Sequence, residues 1–174
     1  MKFGPANQIT LVRAVLVAML FIHLIQPATS TAAWRIVIIA IVAALLDGLD
    51  GWVARRTGTV SAFGTRFDIE TDAALILVLA ILAWQYGKAG PWVLLSGLLR
   101  YIFLAAGWLW SWMRAPLAST RRGKIVCVVQ IVALIVAMAP TIAWPPSSLV
   151  AAVGLLALCY SFLVDTGRLW RGTQ

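Results

Sequence analysis

The sequence predicts an all-α integral membrane protein. It has six transmembrane helices, cytoplasmic termini and a short interfacial segment ahead of the first helix. Three observations carry this. The 174 residues are 62% hydrophobic and only 11% charged, against roughly 25% charged in soluble domains. The mean hydropathy is +0.94. Six apolar runs divide the chain, each near the length of about 20 residues that spans a bilayer as helix. The whole, residues 1–174, reads as one six-helix catalytic domain.

The polar stretch Lys2 to Gln8 is short and lies along the interface. The first run is Ile9 to Ile25, ended by Pro27. The second is Trp34 to about Ala54, with Asp47 and Asp50 near its end. The third is about Ile69 to Tyr86, with Asp72 in its first turn. The fourth is Pro91 to Met113. The fifth is Ile125 to Trp144, closed by Pro145 and Pro146, and the sixth is Ser147 to Val164. A competing start exists: Met1-Lys2, an apolar run and the small residues of 28–33 loosely resemble a cleaved signal peptide. Arg13 interrupts that run, and cleavage would leave five spans and lose the charge pattern described next.

Lysine and arginine placement orients the spans. One side collects Lys2, Arg13, Arg55, Arg56, Arg66, Arg114, Arg121, Arg122, Lys124, Arg168 and Arg171. The other has Arg35 and Lys88, and Arg100 falls inside a span. The basic side is cytoplasmic by the positive-inside rule. This places the protein in the cytoplasmic (inner) membrane, multi-pass. The net charge of +8 therefore reads as topology and contact with anionic lipid, with no nucleic-acid partner. Cys127 and Cys159 sit in apolar runs, without disulfide or metal spacing. Trp108, Trp110 and Trp112 read as an aromatic belt, and His23 as a packed or interfacial side chain. Asp165 ends the sixth span and reads as interfacial.

Five of the six acidic residues, Asp47, Asp50, Asp68, Glu70 and Asp72, fall between positions 47 and 72. Ionisable groups at a hydrophobic span mark function by default. Asp47 and Asp50 are three apart and share a helix face; so do Asp68 and Asp72, four apart. A short basic loop joins the two helices and brings the four carboxylates together at the cytoplasmic end. Like charges in a low dielectric repel strongly, so they call for cations or for protonation. An all-oxygen donor set selects hard ions, Mg²⁺ or Mn²⁺. Two such ions suit phosphoryl-type transfer by clamping attacking and leaving oxygens. Glu70 is out of phase with Asp68 and Asp72 and faces away. Gly51 and Ala54 leave room against the helix backbone, Gly64 allows close approach of a phosphate, and Arg55 offers a planar donor fork.

The pattern Asp47-x₂-Asp50-Gly51-x₂-Ala54-Arg55-x₈-Gly64-x₃-Asp68-x₃-Asp72 resembles the signature of the CDP-alcohol phosphatidyltransferase family. The likeness extends to Asn7-x₂-Thr10-x₂-Arg13 in the first span and to Gly123-Lys124 with Gln130 in the fifth. The resemblance implies a transferase of phospholipid biosynthesis. It would move the phosphatidyl group of CDP-diacylglycerol to an alcohol and release CMP. Asp47, Asp50, Asp68 and Asp72 would hold two divalent ions, with Asp72 the general base. Gly51, Ala54, Arg55, Gly64, Thr10 and Arg13 would bind the CDP donor. The family is usually homodimeric. A carboxylate serves as a base when crowding strengthens it or when it acts on a metal-acidified hydroxyl.

The sequence departs from the glycerophosphate-accepting branch. Ile69 stands where that branch has Pro, Ala73 where it has Lys, and Arg100-Tyr101 where it has Arg-Glu. Glycerol 3-phosphate is therefore only the first acceptor to test. Arg100, Arg122 and Lys124 are the candidate acceptor contacts. For Arg100 an anionic ligand in a wet cavity and an internal ion pair are equally open. For the basic loop, topology and lipid headgroups compete with acceptor binding. Two other functions are compatible with the carboxylates: transfer of a phosphoalcohol from a soluble CDP-alcohol to diacylglycerol, and divalent-cation transport.

Overall fold

A computed structural model describes residues 5–57, 62–109 and 121–171. These residues form six α-helices and no strand: α1 (Pro5–Ile22), α2 (Ser30–Thr57), α3 (Ala62–Gln85), α4 (Leu95–Leu109), α5 (Arg121–Met138) and α6 (Pro146–Arg171). Two short 3-10 turns, His23–Ile25 and Pro91–Leu94, follow α1 and precede α4.

Local chemistry sets several helix ends. Pro5 and Pro146 open α1 and α6, where a missing N–H costs nothing. The Thr29 hydroxyl accepts from the amide of Ala32 at 3.2 Å and so caps α2. At the end of α3, Gly87 takes φ +65°. Its amide donates to Trp84 O, and that of Lys88 donates to Ala83 O. These two bonds satisfy carbonyls that a helix C-terminus otherwise leaves open, and glycine adopts the required φ without strain.

The helices do not coincide with the apolar runs. α3 begins at Ala62, so Asp72 lies in its third turn and not its first. Residues 62–68, with Gly64, Thr65, Arg66 and Asp68, are too polar for a span, yet they are helical. α1 begins at Pro5, within the stretch expected to lie along the interface. α5 stops at Met138, six residues before Trp144. The apolar residues after it turn through Ala139 and Ile142, because Pro140 cannot continue the helix. α2 and α6 run on past their apolar runs to Thr57 and Arg171. Trp110, Trp112 and Arg114 lie outside the described residues, as does Lys2.

α3 is the centre of the bundle. It packs on α1, α4 and α5, while α1 pairs with α2 and α5 with α6. Leu75, Val78, Leu79, Ala80, Leu82 and Ala83 are fully buried, as befits a stretch, residues 73–83, that is apolar all round. The outer helices reverse the soluble pattern. Leu45 on α2 and Leu156 and Leu163 on α6 are 64%, 68% and 72% exposed, whereas Arg13, Gln130, Ser96 and Ser161 are buried. Apolar surface outward and polar groups inward suit a lipid environment. Small residues let helices approach closely. A Cβ on Gly97 of α4 would sit 2.6 Å from Cα of Leu77 on α3, and one on Gly154 of α6 would sit 2.4 Å from Oε1 of Gln130 on α5.

By length and composition, three stretches among the described residues are apolar enough to cross a membrane: Gln8–Ile25, Ser30–Leu49 and Pro146–Val164. Charged residues set the other long helices apart. α3 carries Asp68, Glu70 and Asp72, and α5 opens with Arg121, Arg122 and Lys124. Pro91–Phe103 is apolar but shorter.

Far from the acidic residues, one lysine ties two connections together. Lys88 donates from Nζ to the carbonyls of Ala139 at 2.9 Å and Ile142 at 2.7 Å. The Ser147 hydroxyl donates to Lys88 O at 2.7 Å. Desolvation pulls the Lys88 ammonium below the usual lysine range, and the two carbonyls after α5 are what hold the charge there.

Candidate active site

The site assembles where the lower half of α3 meets α1 and α2. Asp68 and Asp72 are one turn apart on α3, so both project from the same face. Asp47 reaches them from α2. One carboxylate oxygen from each of the three lies within 4.8 Å of the others. None of the three is deeply buried: Asp47, Asp68 and Asp72 are 27%, 32% and 20% exposed.

Arg13 of α1 closes the group from the inside. Its side chain is only 1% exposed. Nη1 lies 2.9 Å from an oxygen of Asp47 and also donates to Asp68, while Nη2 donates to Asp72. A buried arginine persists only where it is paired, and its planar fork reaches several acceptors at once. Here it joins three helices through one guanidinium. Thr10, one turn earlier on α1, is also buried. The Thr71 hydroxyl turns back to the carbonyl of Phe67 at 2.8 Å, satisfying itself on α3 between the two aspartates.

The sequence thus located Asp47, Asp68 and Asp72 correctly as neighbours. Asp50, Ala54 and Arg55 lie on α2, and their side chains are outside the described residues. Gly51 is half-buried on the same helix, and Gly64 lies in the first turn of α3. Arg122 is half-buried and Lys124 exposed in the first turn of α5. Glu70 points away from the three aspartates, as its phase requires, and pairs with Arg100 of α4. What sequence reasoning missed is the partner set of Arg13. The available signal was one guanidinium in an apolar first span of a chain whose acidic residues cluster elsewhere.

The donor set can take a hard divalent cation. Among the described residues three carboxylates converge with oxygen atoms only, a donor set suited to such an ion, and they share the Arg13 guanidinium. Beside the cluster, a cavity of about 270 Å³ opens between α1 and α3. Ala14, Val17, Ala18, Phe21 and Phe67 give it an apolar lining, with Thr71 and Glu70 at its edge.

Comparison with known proteins identifies the family. The family model described as CDP-alcohol phosphatidyltransferase matches residues 4–163. Among curated proteins the chain is similar to three named CDP-diacylglycerol--glycerol-3-phosphate 3-phosphatidyltransferase. That of Shigella flexneri serotype 5b is 28% identical over 182 residues, covering 100% of this chain and 93% of the relative. That of Sodalis glossinidius is 27% identical over 166 residues, 91% and 86%. That of Escherichia coli K12 is 29% identical over 142 residues, 77% and 76%. The chain belongs to the CDP-alcohol phosphatidyltransferase family and is a membrane transferase of phospholipid synthesis.

Proposed function

We propose that this chain transfers the phosphatidyl group of CDP-diacylglycerol to an alcohol and releases CMP, with glycerol 3-phosphate the first acceptor to test. The observation that carries the proposal is the convergence of Asp47, Asp68 and Asp72 inside the stretch that carries the family signature. The names of the relatives support the donor and the acceptor. The apolar cavity next to the cluster is compatible with a donor that is half lipid.

In this reading Asp47, Asp50, Asp68 and Asp72 hold two Mg²⁺ or Mn²⁺ ions. When bound, the metals supply charge neutralisation for the pyrophosphate and for the departing CMP. Asp72 accepts the proton of the acceptor hydroxyl. The hydroxyl oxygen forms its bond to the phosphatidyl phosphorus while the bond from that phosphorus to the CMP oxygen breaks. Thr10, Gly51, Ala54, Arg55 and Gly64 border the donor, with Arg13 near its phosphates. Arg100, Arg122 and Lys124 are the acceptor contacts. Six spans put the termini and the acidic end on the cytoplasmic side, a topology supported by the distribution of basic residues. The working unit is a homodimer, which rests on the family likeness alone.

The test is CMP release from CDP-diacylglycerol by purified protein across a panel of alcohols, with lipid products identified by mass spectrometry. Activity should vanish with EDTA and return with Mg²⁺ or Mn²⁺. Turnover of a soluble CDP-alcohol with diacylglycerol, or activity untouched by chelation, would overturn the assignment of donor or of metal.

A further inference from the structure

Arg13 is among the most deeply buried side chains of the bundle, and every contact it makes with Asp47, Asp68 and Asp72 is to a group the proposed reaction needs for metal. We propose that Arg13 is the built-in counter-ion of the metal site: it holds the carboxylates together without metal and competes with divalent ions for the same oxygens. This rests on the metal-dependent reading above and adds a mode of control to it.

The argument begins with repulsion. Three carboxylates with oxygens within 4.8 Å of one another repel in a medium of reduced dielectric. They come from two helices, α2 and α3, which both pack on α1, so the repulsion pushes these two helices apart where they meet α1. A guanidinium from a third helix relieves it. Arg13 does so with two nitrogens spread over three acceptors, each a charge-assisted bond stronger than a neutral one. Shared among three carboxylates, this one guanidinium neutralises each of them only in part.

The same geometry carries a cost for metal binding. A divalent ion taken by these oxygens meets a fixed positive charge already bonded to them. Either the guanidinium surrenders contacts or the ion bears its repulsion. In both cases Arg13 weakens divalent-ion binding while it stabilises the unloaded bundle. An ordinary structural arginine predicts the opposite for the ion: removing it would splay the ligands and weaken binding. Arg13 is thus a positioning residue that tunes the ion affinity of the site.

The experiment is equilibrium Mn²⁺ binding by electron paramagnetic resonance on detergent-purified full-length protein, with no CDP lipid present. Thermal unfolding is followed in parallel. Arg13→Gln removes the charge, and Arg13→Lys keeps it as a point charge without the fork. The unloaded unfolding midpoint should fall in both variants, further in R13Q. The half-saturating Mn²⁺ concentration should fall about tenfold in R13Q, by loss of a nearby like charge, and by a smaller factor in R13K. Mn²⁺ should also raise the midpoint more in R13Q than in the parent. If R13Q cannot be isolated folded, the direction of the R13K shift decides. Unchanged or weaker Mn²⁺ binding in the variants overturns the inference while leaving the metal reading intact. No Mn²⁺ binding by the parent protein defeats both.

Discussion

The two ends of the bundle are held by cations in different ways. At one end Lys88 donates to the carbonyls of Ala139 and Ile142 and accepts a bond from Ser147 at its own carbonyl. The acceptors of its ammonium are neutral backbone carbonyls. At the other end Arg13 meets three carboxylates. Its partners are charged side chains that also form the candidate cation site. A helix bundle can be closed at one end by satisfying orphan carbonyls and made receptive to cations at the other by gathering like charges. The backbone tie through Lys88 and the proposed metal site lie at opposite ends of α3.

The contrast can be broken most sharply at the receptive end. Asp72→Asn keeps the shape of the side chain and removes both a negative charge and the proposed base. Loss of a general base costs about 10²–10⁴-fold, so CMP release should drop by at least the lower figure, while CDP-diacylglycerol still protects the protein in thermal unfolding. Equal loss of donor binding would show that Asp72 acts through the ligand set and not as the base.

Lys88→Met probes the closed end. It leaves the carbonyls of Ala139 and Ile142 without their donor, and a lost buried hydrogen bond costs about 1–3 kcal/mol. Stability should fall by that order in denaturant or thermal unfolding, while the Mn²⁺ concentration for half activation stays unchanged. Gly97→Ala tests the scaffold between the ends. A methyl group at 2.6 Å from the Leu77 backbone must push α4 from α3, which costs about 1–3 kcal/mol as overpacking does. A stability equal to that of the parent would mean that α4 shifts freely against α3.

The site was more legible in the sequence than the bundle that holds it. Spacing of four fixes a common helix face for Asp68 and Asp72 whatever the surroundings, and the short connection from α2 to α3 was the signal for Asp47 beside them. Helix limits did not follow, because hydropathy reports burial in lipid and not backbone conformation. The polar residues 62–68 are helical, and the apolar residues after Met138 are not. Long-range partners were the least visible. Lys88 meets carbonyls more than fifty positions away, and backbone acceptors leave no mark in a sequence. The charge imbalance around Arg13 could be read, but its choice of three acceptors needed the three helices in place.

The smallest expected effect separates the two readings of Arg100. Its guanidinium pairs with Glu70, but both side chains retain exposure, at 29% and 51%. A partly exposed pair contributes little to stability, about 0–1 kcal/mol, so Glu70→Gln should scarcely move the unfolding midpoint. It would, however, release a cation on α4 beside the α1–α3 cavity. If Arg100 also contacts an anionic acceptor, Glu70 competes with that acceptor. Glu70→Gln should then lower the acceptor KM a few-fold, Arg100→Gln should raise it, and the donor KM should hold in both, a split that a purely structural ion pair would not produce.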